Sequence, residues 1–389
     1  MKFYIYLTLI ILIVMISFPK QINVYLNFII YIYSLALLPV FYIKMKQLII
    51  SRDFASLSFF IFFLITITIS TIYSKDFRLS MFNLLLYFAY FIIFFAIQPI
   101  FSNQRSRKIL ISFLIITSVV ISAISLYNTL ILRYVNKELE GVSFYWVYYG
   151  HNHLSALLVF VIPMAFYLIS YLKSKYRLLY FLIPFFLIIS LFFTFSRGSI
   201  IALIGSFCIS LLAFKIISFK KFLLILFLGA LSIFLFLLSL KQSSTFFNIT
   251  RDSLEINSRL AYWNKSLVNW YESPIFGTGL DTTRYAKLNT EKKKIPDSYY
   301  SQNFFIQMLS DGGIFGFLGS FLLIFYLFWK SYIRTLNSLK SVNNYLYFSI
   351  WVGIFASLLN AMIDFDWQLP TVFLLFWILI GILQTAKKH

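Results

Sequence analysis

Ser301-Gln-Asn-Phe-Phe-Ile-Gln-Met-Leu-Ser-Asp-Gly-Gly-Ile-Phe-Gly, residues 301–316, closes the long polar stretch of this chain. That stretch runs from Lys241 to about Asp311 and follows about nine near-continuous apolar segments. Apolar sequence resumes after Gly312-Gly313, and this return decides the fold. It makes 241–311 a large loop on one side of a membrane, set between late spans. Most of the residues able to do chemistry lie in it.

The composition agrees. Of 389 residues, 61% are hydrophobic and 12% charged, against roughly 25% charged in a soluble domain. Phe (48) and Tyr (27) suit membrane interiors and interfacial belts. Segments able to cross a ~30 Å core fall near 3–18, 24–43, 55–73, 80–101, 109–132, 154–172, 178–196, 198–217, 222–240, 312–329, 345–363 and 370–386. The expectation is an all-α polytopic membrane protein of about twelve transmembrane helices, with short helices in one large outward-facing loop. The first segment lacks a small-residue cleavage site and reads as a retained helix rather than a signal peptide.

Alternating the loops, starting inside, sorts the charges. The inner set holds Lys2, Lys44, Lys46, Arg52, Arg105, Arg107, Lys108, Lys173, Lys175, Arg177, Lys215, Lys220, Lys221, Lys330, Arg334, Lys340, Lys387 and Lys388, with one acid, Asp53. The remaining acids fall outside. The positive-inside rule then puts both termini in the cytoplasm and 241–311 outside. The net charge of +20 is a topology signal, and nucleic acid is not a partner. Cys208, the single cysteine, sits in an apolar run and can form no disulfide framework.

Three regions follow: 1–240 with about nine spans, the loop 241–311, and 312–389 with about three. There is no soluble domain, no Pro- or Ser-rich linker and no repeat of fixed period. A smaller outward loop runs from Arg133 to about Asn152, and Ser196-Arg-Gly-Ser breaks a span pair on the same side. In the large loop, Arg259 to Tyr271 is predicted helical, with Leu260, Trp263, Leu267 and Trp270 on one apolar face lying at the membrane interface. Asn257-Ser258 can cap its start and Ser273-Pro274 ends it. Gly277 and Gly279 permit a tight turn. A second helix starts near Ser301 and enters the membrane after Gly312-Gly313.

No metal site, cofactor site or Ser/His/Asp set is expected. His151 and His153 are two apart, poor ligand spacing on a helix, and His389 lies at the chain's end. Arginine carries the signal. Arg197 sits at membrane-surface depth between apolar runs, where a guanidinium is costly unless it is paired or faces water or ligand. Arg259 sits one turn into the predicted loop helix, where backbone donors favour an anion. Two outward arginines suit a lipid-linked pyrophosphate, since guanidinium forks match phosphate oxygens. The alternative is that each snorkels to lipid headgroups. Gln302 and Asn303 beside Tyr299 and Tyr300 form a candidate sugar-contact patch. Asp297 reads as a turn or cap residue or a base, and His151, Asn152 and His153 as a helix start or a further contact. Lys292-Lys293-Lys294 reads as a solvated run.

Four motifs resemble one family. Gly150-His-Asn-His-Leu-Ser-Ala, Phe195-Ser-Arg-Gly-Ser, Ser258-Arg-Leu-Ala-Tyr-Trp followed by Pro274-Ile-Phe-Gly-Thr-Gly, and Asn303 leading to Leu309-Ser-Asp-Gly-Gly-Ile-Phe-Gly look like the O-antigen ligase and polymerase family over about 145–320. The resemblance implies a metal-independent membrane glycosyltransferase acting at the outer face of the bacterial inner membrane. Its partners would be an undecaprenyl-diphosphate-linked glycan, an acceptor glycolipid or growing glycan, and membrane lipids. It assigns Arg197 and Arg259 to the pyrophosphate, and Trp263, Asn303 and Asn152 fall within its motifs. The family's base, a histidine before the Asn, is here Gln302. An amide can orient a hydroxyl but cannot take its proton, leaving Asp297, Asp281, His151 and His153 as candidate bases. The ligase reading has lipid A-core as acceptor. The runner-up is a repeat-unit polymerase of the same superfamily. A lipid-linked oligosaccharide flippase is a third possibility, but would gather polar groups at mid-membrane or show inverted repeats.

Overall fold

A computed structural model describes residues 1–17, 23–51, 54–135, 151–171, 177–194, 196–218, 220–221, 252–286, 298–342 and 345–385. Its elements are α1 (Lys2–Ser17), α2 (Asn23–Ala36), α3 (Leu38–Ser51), α4 (Ala55–Ile72), α5 (Phe77–Ile100), α6 (Gln104–Val135), α7 (His151–Tyr171), α8 (Arg177–Phe193) and α9 (Arg197–Ala213). They continue with α10 (Asp252–Glu272), α11 (Phe304–Val342), α12 (Tyr345–Ala361) and α13 (Pro370–Leu383). Two 3-10 turns, Thr282–Tyr285 and Asp366–Gln368, complete the list, and no strand occurs among the described residues.

Apart from 222–240, which lies outside the described residues, each expected span coincides with a helix. Five helices are long and apolar enough to cross a membrane, or six if the bent pair α2–α3 is one span. Shorter apolar helices, α1, α8, α9, α12 and α13, stand beside them. The chain is a multi-pass membrane protein. The expected straight span at 24–43 is instead bent by 56° between Ala36 and Leu38. Pro39 is the cause: its ring lacks an N–H and collides with the preceding turn.

Every residue of α13 is buried. Tyr90 and Phe94 of α5 pack against its Phe373 and Trp377 at ring distances of 4.9–6.5 Å. Outer faces carry exposed Ile10, Ile65, Phe185, Ile201 and Phe325. Such an apolar exterior belongs in hydrocarbon.

Contacts between helix ends respect the charge sorting. On one face Arg107 donates to Ser102 O (3.0 Å) and Thr385 Oγ1 (2.9 Å) and lies over the Tyr347 ring. On the same face Tyr332 Oη donates to Ala213 O (2.8 Å) and Lys330 Nζ to Ser56 Oγ (3.0 Å). The opposite face gathers residues 74–76, 269–285, 298–311 and 364–366. There Lys75 pairs with Glu272 and donates to Asn269 Oδ1 (3.0 Å), and Tyr285 Oη donates to Asp76 (2.8 Å).

On that second face the loop is knotted onto the start of α11. Asp311 is buried and takes four donors. Thr283 N (3.2 Å) and Thr283 Oγ1 (2.7 Å) reach one oxygen, and Asp281 N (2.9 Å) and Gln307 Nε2 (2.8 Å) the other. Its carbonyl accepts from Ser70 Oγ (2.6 Å) and Gly279 N (2.9 Å). The Pro274-Ile-Phe-Gly-Thr-Gly and Ser310-Asp-Gly-Gly-Ile-Phe-Gly motifs therefore lie against each other. Ile314 N donates to Pro274 O at 2.9 Å, and Phe276 stacks on Phe315 at 6.0 Å. α11 breaks at Gly313 (φ 63°), where a Cβ would lie 2.3 Å from Ile275 O. The break falls at the expected membrane re-entry.

Asp281, one of the candidate bases, is part of this knot. It has a left-handed backbone (φ 64°) and is ion-paired to Arg284. Burial pushes its carboxyl up to about 7, with Arg284 pulling down and Asp311 pushing up.

The loop helix differs from expectation at its start. It starts at Asp252, so Arg259 lies about two turns in and Asn257-Ser258 is not its cap. No Pro or Gly interrupts 252–272, so the helix propagates upstream of the expected start. The face packed on the protein is polar, with Tyr262, Lys265, Ser266 and Asn269 buried, while Leu260, Val268 and Tyr271 are exposed. Asn269 Nδ2 bonds Thr278 Oγ1 (2.7 Å) and Ser310 Oγ (2.9 Å), and Lys265 Nζ bonds Ser298 O (3.0 Å).

Two outcomes test this knot in the detergent-purified protein. Asp311→Ala and Gly313→Ala lower the melting temperature, each buried donor left unpaired costing roughly 1–3 kcal/mol. Gly312→Ala, where a Cβ would meet nothing within 4 Å, leaves it unchanged. Equal effects at Gly312 and Gly313 would contradict the packing. The second outcome concerns pH. Folded Asp281 keeps its proton up to about 7, whereas an unfolded Asp releases it near ~3.9. The stability it contributes is therefore full below that lower value and lost as pH rises through about 7. Asp281→Asn should flatten the fall of melting temperature between about pH 4 and about 7. An unaltered slope would assign it to another group.

Candidate functional site

The loop-bearing face is organised by the turn that joins α12 to α13, Asn360 to Gln368. Gly198, next to Arg197, sits against it: a Cβ there would lie 3.4 Å from Asn360 Oδ1 and 3.5 Å from Ile363 Cγ2. Arg259 reaches Asp364 with Nη2···Oδ2 at 3.9 Å. Asn303 Nδ2 donates to Met362 O at 2.7 Å. Phe365 is stacked by Tyr300 (6.0 Å, 13° between planes) and met edge-on by His153 (6.0 Å). Segments distant in sequence thus converge on one short run.

The two motif arginines border that run from separate elements. Arg197 is the first residue of α9 and is exposed. Its helix start is tied to α7 through buried hydroxyls. Ser199 Oγ donates to Ser155 Oγ (2.9 Å) and shares a 3.0 Å bond with Ser196 Oγ, and Ser155 Oγ donates to Asn152 O (2.8 Å). The Gly150 and Phe195 motifs are thus joined as firmly as the two glycine motifs of the knot. Arg259 is partly buried at 28% exposure and Asp364 deeply so at 3%. Its partner lies 105 residues downstream, so adjacency in sequence offers no hint of the pair.

Beside this pair is a small cleft lined by Tyr300, Gln302, Asn303, Asp364, Phe365 and Gln368, among others. Gln302 holds a left-handed backbone (φ 53°), a conformation uncommon for a side chain of its kind and concentrated at functional turns. Asn303 caps α11, its Oδ1 accepting from Phe305 N (3.0 Å) and Ile306 N (3.1 Å). With Nδ2 on Met362, the Asn303 side chain is committed to the fold rather than left open for a ligand. Gln307 Oε1 accepts from Ser301 N (2.9 Å) while its Nε2 reaches Asp311, so the knot braces the wall of the cleft.

The turn contributes a carboxylate pair that the sequence reading overlooked. Asp364 and Asp366 are both buried. Burial, then the charge of Asp364, pushes the Asp366 carboxyl well above the usual range, while Asn360 and Arg259 pull it back. The available signal was Ile363-Asp-Phe-Asp-Trp-Gln: two acids in the only polar interruption between two apolar runs.

The other expected residues fall as follows. Tyr299 is exposed, with Arg284 over its ring at 5.4 Å. Trp263 is half-buried, and its Nε1 has no hydrogen-bond partner among the described residues. The Asn152 side chain is half-buried near the Ser155 link. Asp297 and the side chain of His151 lie outside the described residues. No group of three potential metal ligands occurs among the described residues. Arg259 and the buried Asp364 and Asp366 carboxylates therefore lie beside the amide-lined cleft.

No curated protein matches the chain. A family model described as O-Antigen ligase matches residues 182–321. That stretch covers the Phe195-Ser-Arg-Gly-Ser motif, the Arg259 helix, both glycine motifs and Gln302-Asn303, and leaves the Gly150 motif and the 360–368 turn outside. Over residues 182–321 the chain is similar to the O-antigen ligase family.

Proposed function

We propose that this protein transfers a glycan from undecaprenyl diphosphate to an acceptor sugar hydroxyl, at the outer face of the bacterial inner membrane. The observation that carries the reading is the convergence of the Arg197 and Arg259 segments on residues 360–364, beside the cleft at Gln302. The family supports a glycosyltransferase acting on a lipid-linked glycan. About twelve spans with cytoplasmic termini fit the segregation of charge between the two faces.

In this mechanism the acceptor oxygen attacks the anomeric carbon, the bond from that carbon to the phosphate oxygen breaks, and undecaprenyl diphosphate leaves. Arg197 and Arg259 neutralise the departing pyrophosphate through charge-assisted hydrogen bonds. Arg259 is held against Asp364 beforehand, so little reorganisation is needed when the ligand arrives. Gln302 orients the acceptor hydroxyl. Asp364, lining the same cleft, takes its proton. Asn303 positions Gln302 by capping α11 and gripping Met362.

Ligase-type transfer to lipid A-core is the first form of this reaction. The second is repeat-unit polymerisation, and Gln302 in the place of the family's histidine favours it. Gene deletion separates the two. Ligase loss strands long polymer on the lipid carrier, whereas polymerase loss leaves single repeat units.

The roles are tested in the same complementation assay. Arg259→Lys and Arg197→Lys keep the charge but lose the fork, and each lowers transfer roughly 10²-fold or more. Asp364→Asn lowers it about 10²–10⁴-fold. Gln302→Ala weakens transfer moderately and Gln302→His is tolerated. Full activity in Arg197→Lys, Arg259→Lys and Gln302→Ala together would rule out this face as the site. Topology has its own check: a reporter fused at Asn289 reads external, and a cytoplasmic signal there would invert the mechanism.

A further inference from the structure

Asn360, in the last turn of α12, and Asp366, which opens the 3-10 turn after it, are both 1% exposed. Asn360 Nδ2 donates to Asp366 Oδ2. We propose that Asp366 is a positioning residue: through Asn360 it fixes the start of α9, which carries Arg197, against the turn in which Asp364 holds Arg259. The inference rests on the pyrophosphate role proposed for these two arginines.

Three observations carry it. First, Asn360 touches every part of the arrangement. Its backbone carbonyl accepts from Ile363 N (2.9 Å) and Asp364 N (2.8 Å), which sets the place of Asp364. Its side chain binds Asp366 and lies against Gly198, where a Cβ would be 3.4 Å from Asn360 Oδ1. Gly198 directly follows Arg197. The Asn360 amide therefore decides where the first turn of α9 can rest. Second, the terminal torsion of an asparagine is soft, so a bond is needed to fix the plane of its amide. Among the described residues Asp366 supplies that bond. Third, Asp366 can do this as a neutral acid. Asp311 is buried with four donors, whereas Asp366 is equally buried with Asn360 as its side-chain donor. A buried carboxyl so weakly served keeps its proton, and burial, then the charge of Asp364, holds Asp366 well above the usual range. The other charged and titratable groups packed around it are Arg259 and, across Phe365, His153. The negative charge of the turn thus stays on Asp364, against Arg259, and Asp366 acts through its hydrogen bond.

The turn has fastenings that do not use this side chain. Trp367 Nε1 donates to Ser357 Oγ (2.9 Å), and Leu369 N donates to Asp366 O (3.0 Å). Substitutions at Asp366 therefore bear on the placing of the arginines more than on the folding of the turn.

The test uses full-length protein in detergent, with farnesyl diphosphate as the probe. Asp366→Ala and Asn360→Ala should each weaken its binding roughly tenfold or more, since a misplacement of ~1 Å can cost that much. Asp366→Asn, a neutral isostere, should bind as wild type does and retain transfer in complementation. A double-mutant cycle adds a readout that a general loss of stability would not move. Coupling between Arg197→Gln and Arg259→Gln in diphosphate binding should be present in the wild-type background and absent in Asp366→Ala. Wild-type affinity or intact coupling in Asp366→Ala would overturn the inference and leave the pyrophosphate reading in place. So would Asp366→Asn binding as poorly as Asp366→Ala, because charge rather than the bond would then be what matters. Wild-type protein that does not bind farnesyl diphosphate would overturn the pyrophosphate reading, and this inference with it.

Discussion

A carboxylate buried without donors is too costly to keep, and Asp311 is buried. Its four donors come from the 281–283 turn and from Gln307. Satisfying that one group therefore pins the loop turn to the start of α11, with Asp281 and Asp311 30 residues apart. The constraint propagates. Gln307 uses its other end on Ser301 N, which precedes Gln302 and the cleft. Glycines 277 and 313 exist to let the two backbones approach, since a Cβ on either would strike the other strand of chain within 2.2–2.3 Å. The loop is long but anchored at its chemical end.

The turn between α12 and α13 plays the complementary part. It presents a carboxylate to Arg259 and a backbone carbonyl to Asn303. Asp364 holds Arg259 at 3.9 Å. That distance is looser than a close ion pair, which leaves Arg259 able to exchange partners. The same turn stacks Phe365 between Tyr300 and His153. The amide cleft and the α7 start thereby share one aromatic hinge point.

Much of this was legible in the sequence because a membrane imposes length and apolarity on whatever crosses it. Spans announced themselves, and so did the charge sorting that contacts such as Arg107–Thr385 and Tyr285–Asp76 respect. The glycine turn and the break at Gly312-Gly313 were also readable, since few residues tolerate those backbones. What stayed hidden was pairing across long separations. Arg259 carries no mark of Asp364, and Asp364-Phe-Asp reads as an ordinary polar connection. The inward face of the loop helix was also hidden: Ser266 and Asn269 are buried because the knot they serve is itself polar. The Pro39 bend was visible in principle and was overlooked because the surrounding apolarity was continuous.

The helix at the centre of the bundle, α13, follows in chain order every helix that surrounds it. Spans are made in chain order, so the membrane helices around α13 stand without it until residues 370–383 arrive. In that interval Tyr90 and Phe94 lack the Phe373 and Trp377 rings they pack against. The 360–368 turn, which links α12 to α13, is held at both ends only once α13 is seated. Construction of the bundle and assembly of the Arg259–Asp364 pair are for that reason the same late event, and an unfinished chain carries no half-built site.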